Sequence, residues 1–210
     1  MKLIVPVLNC YDLLQRMVDS IDYPLEMLVV IDNGDNLQEL CVPDCVNELR
    51  VLPMPTNQGV AGSWNLGIKL LPFEPVWFFS SADTVYKPGA LAELAKAKPS
   101  EITLSNSFPF WQTFAIGEEV VKQIGLFDEN LFPIYFEDND YTKRANQAGI
   151  PVTYSLSEVH HDNSSTIARD HNLQKQNTRT YTSNQDYYQA KTEGLWHWSL
   201  ERRRNNYWQL

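Results

Sequence analysis

Three carboxylates and a histidine pair are the residues of this chain best suited to chemistry. Asp83 closes the run Trp77-Phe78-Phe79-Ser80-Ser81-Ala82. A carboxylate at the rim of a sheet is a hard oxygen ligand for a divalent cation, which would neutralise charge on a leaving diphosphate. Its plainer role is a cap before Thr84. Phe136-Glu137-Asp138-Asn139-Asp140-Tyr141 crowds three carboxylates into the first turn of an expected helix, where the helix dipole favours their ionised forms. Asp140 reads as the i, i+4 partner of Arg144. Asp138 follows Tyr135 and Phe136, in a segment too apolar for a solvated cap, and is the candidate general base. His160 and His161 end an expected strand, where a neutral imidazole completes a metal site, meets phosphate, or is structural. Asp32 ends a buried strand and either accepts from a base N–H or ribose hydroxyl or makes the Asp-Asn-Gly turn. Asn57-Gln58-Gly59-Val60-Ala61-Gly62-Ser63-Trp64-Asn65-Leu66-Gly67 is rich in small residues and opens a helix. Such a segment brings backbone close to a ligand and points a helix N-terminus at an anion such as a diphosphate, or is a tightly packed loop.

These residues need a scaffold that puts them at one edge. Buried strands are expected over residues 2–8, 26–32, 49–52 and 76–80, and further strands over 102–104, 111–116 and 151–156. Helices are expected over residues 11–21, 62–71, 90–98, 117–124 and 137–148; Leu13, Leu14, Met17, Val18 and Ile21 share a face of the first. Alternating strands and helices imply a mostly parallel sheet covered on both faces. Ligands bind such sheets beyond the C-terminal strand ends, which draws attention to Asn9, Asp32 and Ser81-Ala82-Asp83.

The chain has 210 residues and a formal net charge of -9, so it is a poor generic binder of polyanions. Nothing approaches the roughly 18 consecutive apolar residues of a membrane span, and the N-terminus reads as a first buried strand rather than a signal peptide. Three cysteines, Cys10, Cys41 and Cys45, do not make a disulfide framework, and a reducing cytoplasm is the expected setting.

Taken in order, several segments resemble the family 2 glycosyltransferases with the GT-A fold, especially the rhamnosyltransferase-like branch. They are Val5-Pro6-Val7-Leu8-Asn9, Val30-Ile31-Asp32-Asn33-Gly34, Asn57-Gln58-Gly59-Val60-Ala61 through Asn65-Leu66-Gly67, and Ser81-Ala82-Asp83-Thr84 with Pro88-Gly89-Ala90-Leu91. Gly125-Leu126-Phe127-Asp128-Glu129, Tyr135-Phe136-Glu137-Asp138-Asn139-Asp140 with Arg144, and His160-His161 follow. The resemblance implies a Rossmann-like, mostly parallel sheet flanked by helices over residues 1–165. It also implies an inverting transfer of one sugar from a UDP- or dTDP-sugar, assisted by Mn2+ or Mg2+. Pro6, Leu8 and Asn9 would line the base pocket and Asp32 would read the base. Asn57, Gly62, Asn65, Ser81 and Ala82 would contact the rest of the donor. Asp83 and His160, with His161 less favoured, would hold the metal, and Asp138 would be the catalytic base. One departure is Ser81, which stands where the family's metal motif has its first carboxylate. The motif of processive synthases is absent, so one sugar is expected per encounter.

Residues 166–210 form an aromatic or helical C-terminal extension beyond the resemblance. They include Tyr181, Tyr187, Tyr188, Trp196, Trp198, Tyr207, Trp208 and Arg202-Arg203-Arg204. Aromatic faces suit sugars or bases, and the arginines suit phosphates of DNA, of a lipid-linked acceptor or of a membrane. The plain alternative is a helix packed on the domain or on a second copy in a homo-oligomer. Expected acceptors are a glycan, a lipid-linked glycan or a hydroxylated DNA base, and the short, anchorless chain suits a phage or bacterial cytoplasmic enzyme. A nucleotidyltransferase would carry a glycine-rich basic loop where Asn9-Cys10-Tyr11 stands. A catalytically degenerate fold that only binds sugar or nucleic acid is the other alternative.

Overall fold

A computed structural model describes residues 1–108, 110–162 and 171–194. Four parallel strands, β1 (Lys2–Val7), β2 (Met27–Asp32), β3 (Leu49–Pro53) and β4 (Val76–Ser80), run in the order β3-β2-β1-β4. A ribbon of two strands, β5 (Thr84–Tyr86) and β9 (Val159–His161), stands apart from this sheet. Beyond β4 the main sheet continues through β7 (Thr113–Gly117), β6 (Ile102–Leu104) and β8 (Val152–Tyr154). β7 runs antiparallel to both β4 and β6, the one reversal in an otherwise parallel sheet.

The period of two along each strand sends side chains to opposite faces. Ile4, Val29, Ile31 and Phe79 pack one way, with α2 (Gly59–Leu70), α4 (Glu118–Ile124) and α5 (Glu137–Gln147). Leu3, Val5, Leu28 and Val30 pack the other way, with α1 (Tyr11–Asp19) and α3 (Ala90–Leu94). All six residues of β2 are therefore buried, as a strand covered on both faces must be. Leu13, Leu14, Met17 and Val18 form the buried face of α1, as their spacing indicates.

Two departures from the sequence expectation bear on the site. Helix α2 begins at Gly59, three residues early, because Asn57 Oδ1 accepts the Gly59 N–H at 2.8 Å and starts the turn. The chain after residue 151 is two strands. Ser155 Oγ donates to Leu104 O at 3.1 Å and accepts from Ser157 N at 3.2 Å, which turns the chain off the main sheet toward β9. The extension, expected to be aromatic or helical, contains a 22-residue helix, α6 (His171–Thr192), whose bounds no strand–helix rhythm marks in sequence. Its packed face is largely polar: Asn184 and Tyr187 are buried, and Lys191 is directed at carboxylates. Hydrophobic periodicity is blind to such a face.

Cys10, Cys41 and Cys45 are free, as expected. Among the described residues no helix is long and apolar enough to cross a membrane. Trp196, Trp198, Arg202-Arg203-Arg204, Tyr207 and Trp208 lie outside the described residues.

Candidate active site

A cavity of about 260 Å³ opens at the C-terminal ends of β1 and β4, where the strand order reverses direction in the sequence. Pro6, Val7, Leu8 and Cys10 form its floor after β1; Asn33 enters after β2; Ser81, Ala82 and Asp83 follow β4. Asn57, Gly59, Val60 and Trp64 come from the start of α2, and Pro133, Ile134 and Tyr135 from the loop before α5. Leu173, Gln176 and Asn177 of α6 complete the wall, so the extension is part of this site.

Asp83 and His161 meet at the cavity. The antiparallel register pairs Thr84 with His161 and thereby sets the imidazole beside the carboxylate. His161 Nε2 lies 2.9 Å from Asp83 Oδ1, and both side chains are mostly buried. His161 Nδ1 is buried without a hydrogen-bond partner. Two ligands about 2.1 Å from an octahedral cation at a right angle stand about 3 Å apart, so this oxygen and nitrogen fit adjacent positions on one ion. His160 is on the opposite side of the same strand. Its side chain is 71% exposed, and its Nε2 lies 3.2 Å from Asp162 Oδ1. Strand alternation thus turns His161, and not the favoured His160, toward Asp83. Among the described residues no group of three or more histidine, cysteine or acidic side chains forms a complete metal cage.

Other expected donor contacts sort by where the fold puts them. Pro6, Leu8, Asn57, Ser81 and Ala82 line the cavity. Asp32 does not. Its Oδ1 accepts from Tyr11 Oη at 2.7 Å and Gly34 N at 3.1 Å, and its Oδ2 accepts from Asn36 N and Leu37 N at 2.9 Å each. Four bonds fill the acceptor capacity of a carboxylate, so Asp32 organises the loop after β2. Asn65 is fully buried and clamps α2 to residues 127–129, exchanging 2.9 Å bonds with both N and O of Phe127. Gly62 is inside α2, away from the cavity; the backbone approaches at Gly59 instead, whose φ is +74°. Asn9 is off the wall and accepts from Cys10 Sγ at 3.2 Å.

Asn33 and Trp64 belong to the site although the motifs did not single them out. Asn33 Oδ1 accepts Gln58 N and its Nδ2 donates to Ser63 Oγ, each at 2.9 Å, which joins the loop after β2 to the start of α2. Its signal was the position beside Asp32 at the strand end.

The acidic turn of α5 is split by its surroundings. Asp140 pairs with Arg144 Nε at 2.8 Å, as its spacing indicates, and with Lys191 Nζ at 2.5 Å. Glu137 is buried, and burial, reinforced by the Asp138 charge, pushes its carboxyl up to about 8. Burial likewise raises Asp138, against the lowering effect of its bonds to backbone N–H groups. The expected stabilisation of the ionised forms by the helix dipole is therefore outweighed at both positions by desolvation. The turn is entered through Tyr135 and Phe136, both left-handed at φ +80° and +74°, a backbone cost of about 1–3 kcal/mol each that α6 helps to hold. Tyr181 packs edge-on to Tyr135 at 5.3 Å, and Tyr188 stacks on Phe136 at 5.6 Å. Asp138 does not line the main cavity. It borders a second, shallower hollow with Trp111 and Tyr188. Trp64 of the main cavity and Trp111 of the hollow stack at 6.5 Å, so the two spaces share that aromatic pair.

Comparison with known proteins agrees with this fold. The model of glycosyl transferase family 2 matches residues 2–101. No curated protein sequence matches significantly. Among solved structures, a mannosyltransferase from Pyrobaculum calidifontis in complex with GDP-Man and Mn2+ superposes with a TM-score of 0.54 at 18% identity, over 73% of this chain and 55% of that one. GalNAc-T7 with UDP, GalNAc and Mn2+ gives 0.61 at 14% identity, over 76% and 43%. The catalytic domain of Drosophila β1,4-galactosyltransferase 7 with xylobiose gives 0.56 at 14% identity, over 81% and 73%. The chain spans about half the length of the first two. The chain has the mixed α/β GT-A fold of these structures, and its residues 2–101 match the model of glycosyl transferase family 2.

Proposed function

We propose that the protein is an inverting glycosyltransferase that moves one sugar from a nucleoside-diphosphate sugar, UDP- or dTDP-linked, to an acceptor hydroxyl. The observation that carries this reading is the convergence of Asp83 and His161 at the rim of the 260 Å³ cavity. The base and ribose lie against Pro6, Leu8 and Asn33, and the diphosphate faces the start of α2 and the Asp83–His161 pair. Asp83 and His161 would hold a divalent cation, Mn2+ or Mg2+, which would supply positive charge to the leaving diphosphate. With two protein ligands and Ser81 in place of a third, the pair binds such a cation weakly alone and more tightly with a nucleotide.

Asp138 takes the acceptor proton. Its partly desolvated carboxylate is a stronger base than a solvated one, which suits proton removal from a hydroxyl as the new bond forms. Its place beside the Trp64–Trp111 pair puts acceptor and donor in neighbouring spaces. Attack on the sugar from the side opposite the diphosphate gives inversion.

Donor hydrolysis tests the assignment. The protein is incubated with a panel of nucleotide sugars with Mn2+ or with EDTA, and released nucleoside diphosphate is assayed. Metal-dependent release from one donor is expected. Failure of every nucleotide sugar to bind by calorimetry would sink the transferase and leave a recognition module, which the missing carboxylate at Ser81 also fits.

A further inference from the structure

We infer that the acceptor is a neutral carbohydrate and that it lies in the hollow along the outer face of α5, between Trp111 and Tyr188. This rests on the transferase reading for the identity of the reaction, but not for the existence of the binding site. The hollow has a volume of about 540 Å³, room for one or two sugar rings. Asp138, Asn139, Asn146 and Gln147 border it, at positions that recur on one side of the helix. Short amides and a carboxylate offer both donors and acceptors, which is what sugar hydroxyls need.

The aromatic walls supply the other half of carbohydrate recognition, a flat face for the C–H side of a ring. Both rings are held in advance. Trp111 is anchored in the core cluster against Phe114 at 4.7 Å and Tyr141 at 6.3 Å, and Tyr188 is stacked on Phe136. Rings already fixed lose little freedom when a ligand arrives. Tyr188 comes from α6, so the extension contributes to this site as it does to the main cavity.

The described charges weigh against a nucleic acid here. Among the described residues Lys143 is the only cation bordering the hollow, and its Nζ donates to Thr192 O at 3.3 Å. Arg144, on the same helix, is committed to Asp140 and to the carbonyls of Ile124 and Leu126. Nucleic-acid binding draws on several phosphate contacts from lysine and arginine, and this surface carries Asp138 in a chain of net charge -9.

The test is a printed array of neutral glycans, with single-stranded and duplex DNA of random sequence beside them, probed by the full chain with and without UDP and Mn2+. Retention on neutral glycans and not on DNA is expected. The best glycan, titrated in solution, should bind about tenfold more weakly to Asn146→Ala or Gln147→Ala, the loss of one good polar contact. Both residues are exposed, so these variants fold. A Glu48→Gln control on the far edge of the sheet should bind like the parent. Retention on DNA, no retention on any glycan, or glycan binding indifferent to Asn146 and Gln147 would each overturn the inference. Calorimetry with UDP and Mn2+ separates the two readings. Glycan binding at the hollow without nucleotide binding refutes the transferase and keeps the site. Nucleotide binding without glycan binding does the reverse.

Discussion

Lys191 Nζ of the C-terminal helix lies 2.8 Å from Oδ2 of Asp128, a residue buried in the loop before the acidic turn. The same ammonium reaches Asp140, and Tyr187 Oη donates to Asp128 at 2.9 Å. Burial alone would raise Asp128, but Lys191 and the bonds from Asn130 and Tyr187 outweigh it and hold it below the ordinary carboxylate value. The extension is thereby keyed to the helix that carries Asp138. Replacing the cation with Lys191→Met leaves buried Asp128 without its counter-ion, while Asp140 keeps Arg144, a loss of about 3–5 kcal/mol in chemical denaturation. Hydrogen exchange should speed up in α5 and α6 together. Exchange confined to α6 would show that the two helices are not coupled.

Glu137 makes stability depend on pH in an unusual direction. Its folded carboxyl titrates near 8 against an ordinary value of 4.5. Between those values the folded state binds more protons than the unfolded one, so stability falls as pH rises. Glu137→Gln keeps the neutral shape and removes that slope. The variant should melt higher than the parent at pH about 9, and like the parent at pH about 4. Parallel melting curves across pH would contradict the burial-driven shift.

Two glycines three residues apart should respond oppositely to alanine. At Gly59 the backbone is left-handed, and an added Cβ would stand 2.8 Å from the Phe132 ring and from Pro133 O. Gly59→Ala should cost about 1–3 kcal/mol and weaken nucleotide binding, since the Phe132–Pro133 segment must give way. Gly62 is helical, and its added Cβ meets only Gln58 Cβ at 3.4 Å. Gly62→Ala should stabilise by about 0.5–1 kcal/mol. Equal effects in urea titrations would show that helix α2 does not start where described.

Asp138→Asn should lower sugar transfer about 10²–10⁴-fold while leaving nucleotide affinity near that of the parent, the signature of a proton acceptor. In the parent, transfer should rise with pH along a limb above the ordinary carboxylate range, since Asp138 is raised by burial. An unchanged pH limb in the variant would assign the base elsewhere.

The centre of the sheet was legible because strands such as β2 and β4 are buried on both faces, so runs such as Met27-Leu28-Val29-Val30-Ile31 stand out without any alternation to decode. Asp83 was legible for the same reason, as the first carboxylate after a buried run. Four things were hidden. His160 and His161 are adjacent, and only strand pairing decides which one faces Asp83. Asp32 looked like a base reader, but its four bonds come from backbone and tyrosine groups that no motif shows. The bounds of helix α6 were hidden because its packed face consists of asparagine, tyrosine and lysine, whose burial depends on partners at Ile134, Asp128 and Asp140. Desolvation of Glu137 was equally invisible, since the sequence shows a helix N-terminus but not what covers it.

The most direct test of the central claim is UDP binding by calorimetry, with Mn2+ or with EDTA, in the parent and in Asp83→Ala, His161→Ala and His160→Ala. Metal-dependent affinity should be lost in the first two variants and retained in the third. Metal-dependent binding that survives loss of Asp83 and His161, or that fails with His160 alone, would contradict the assignment of this pair as the metal-holding corner of a transferase site.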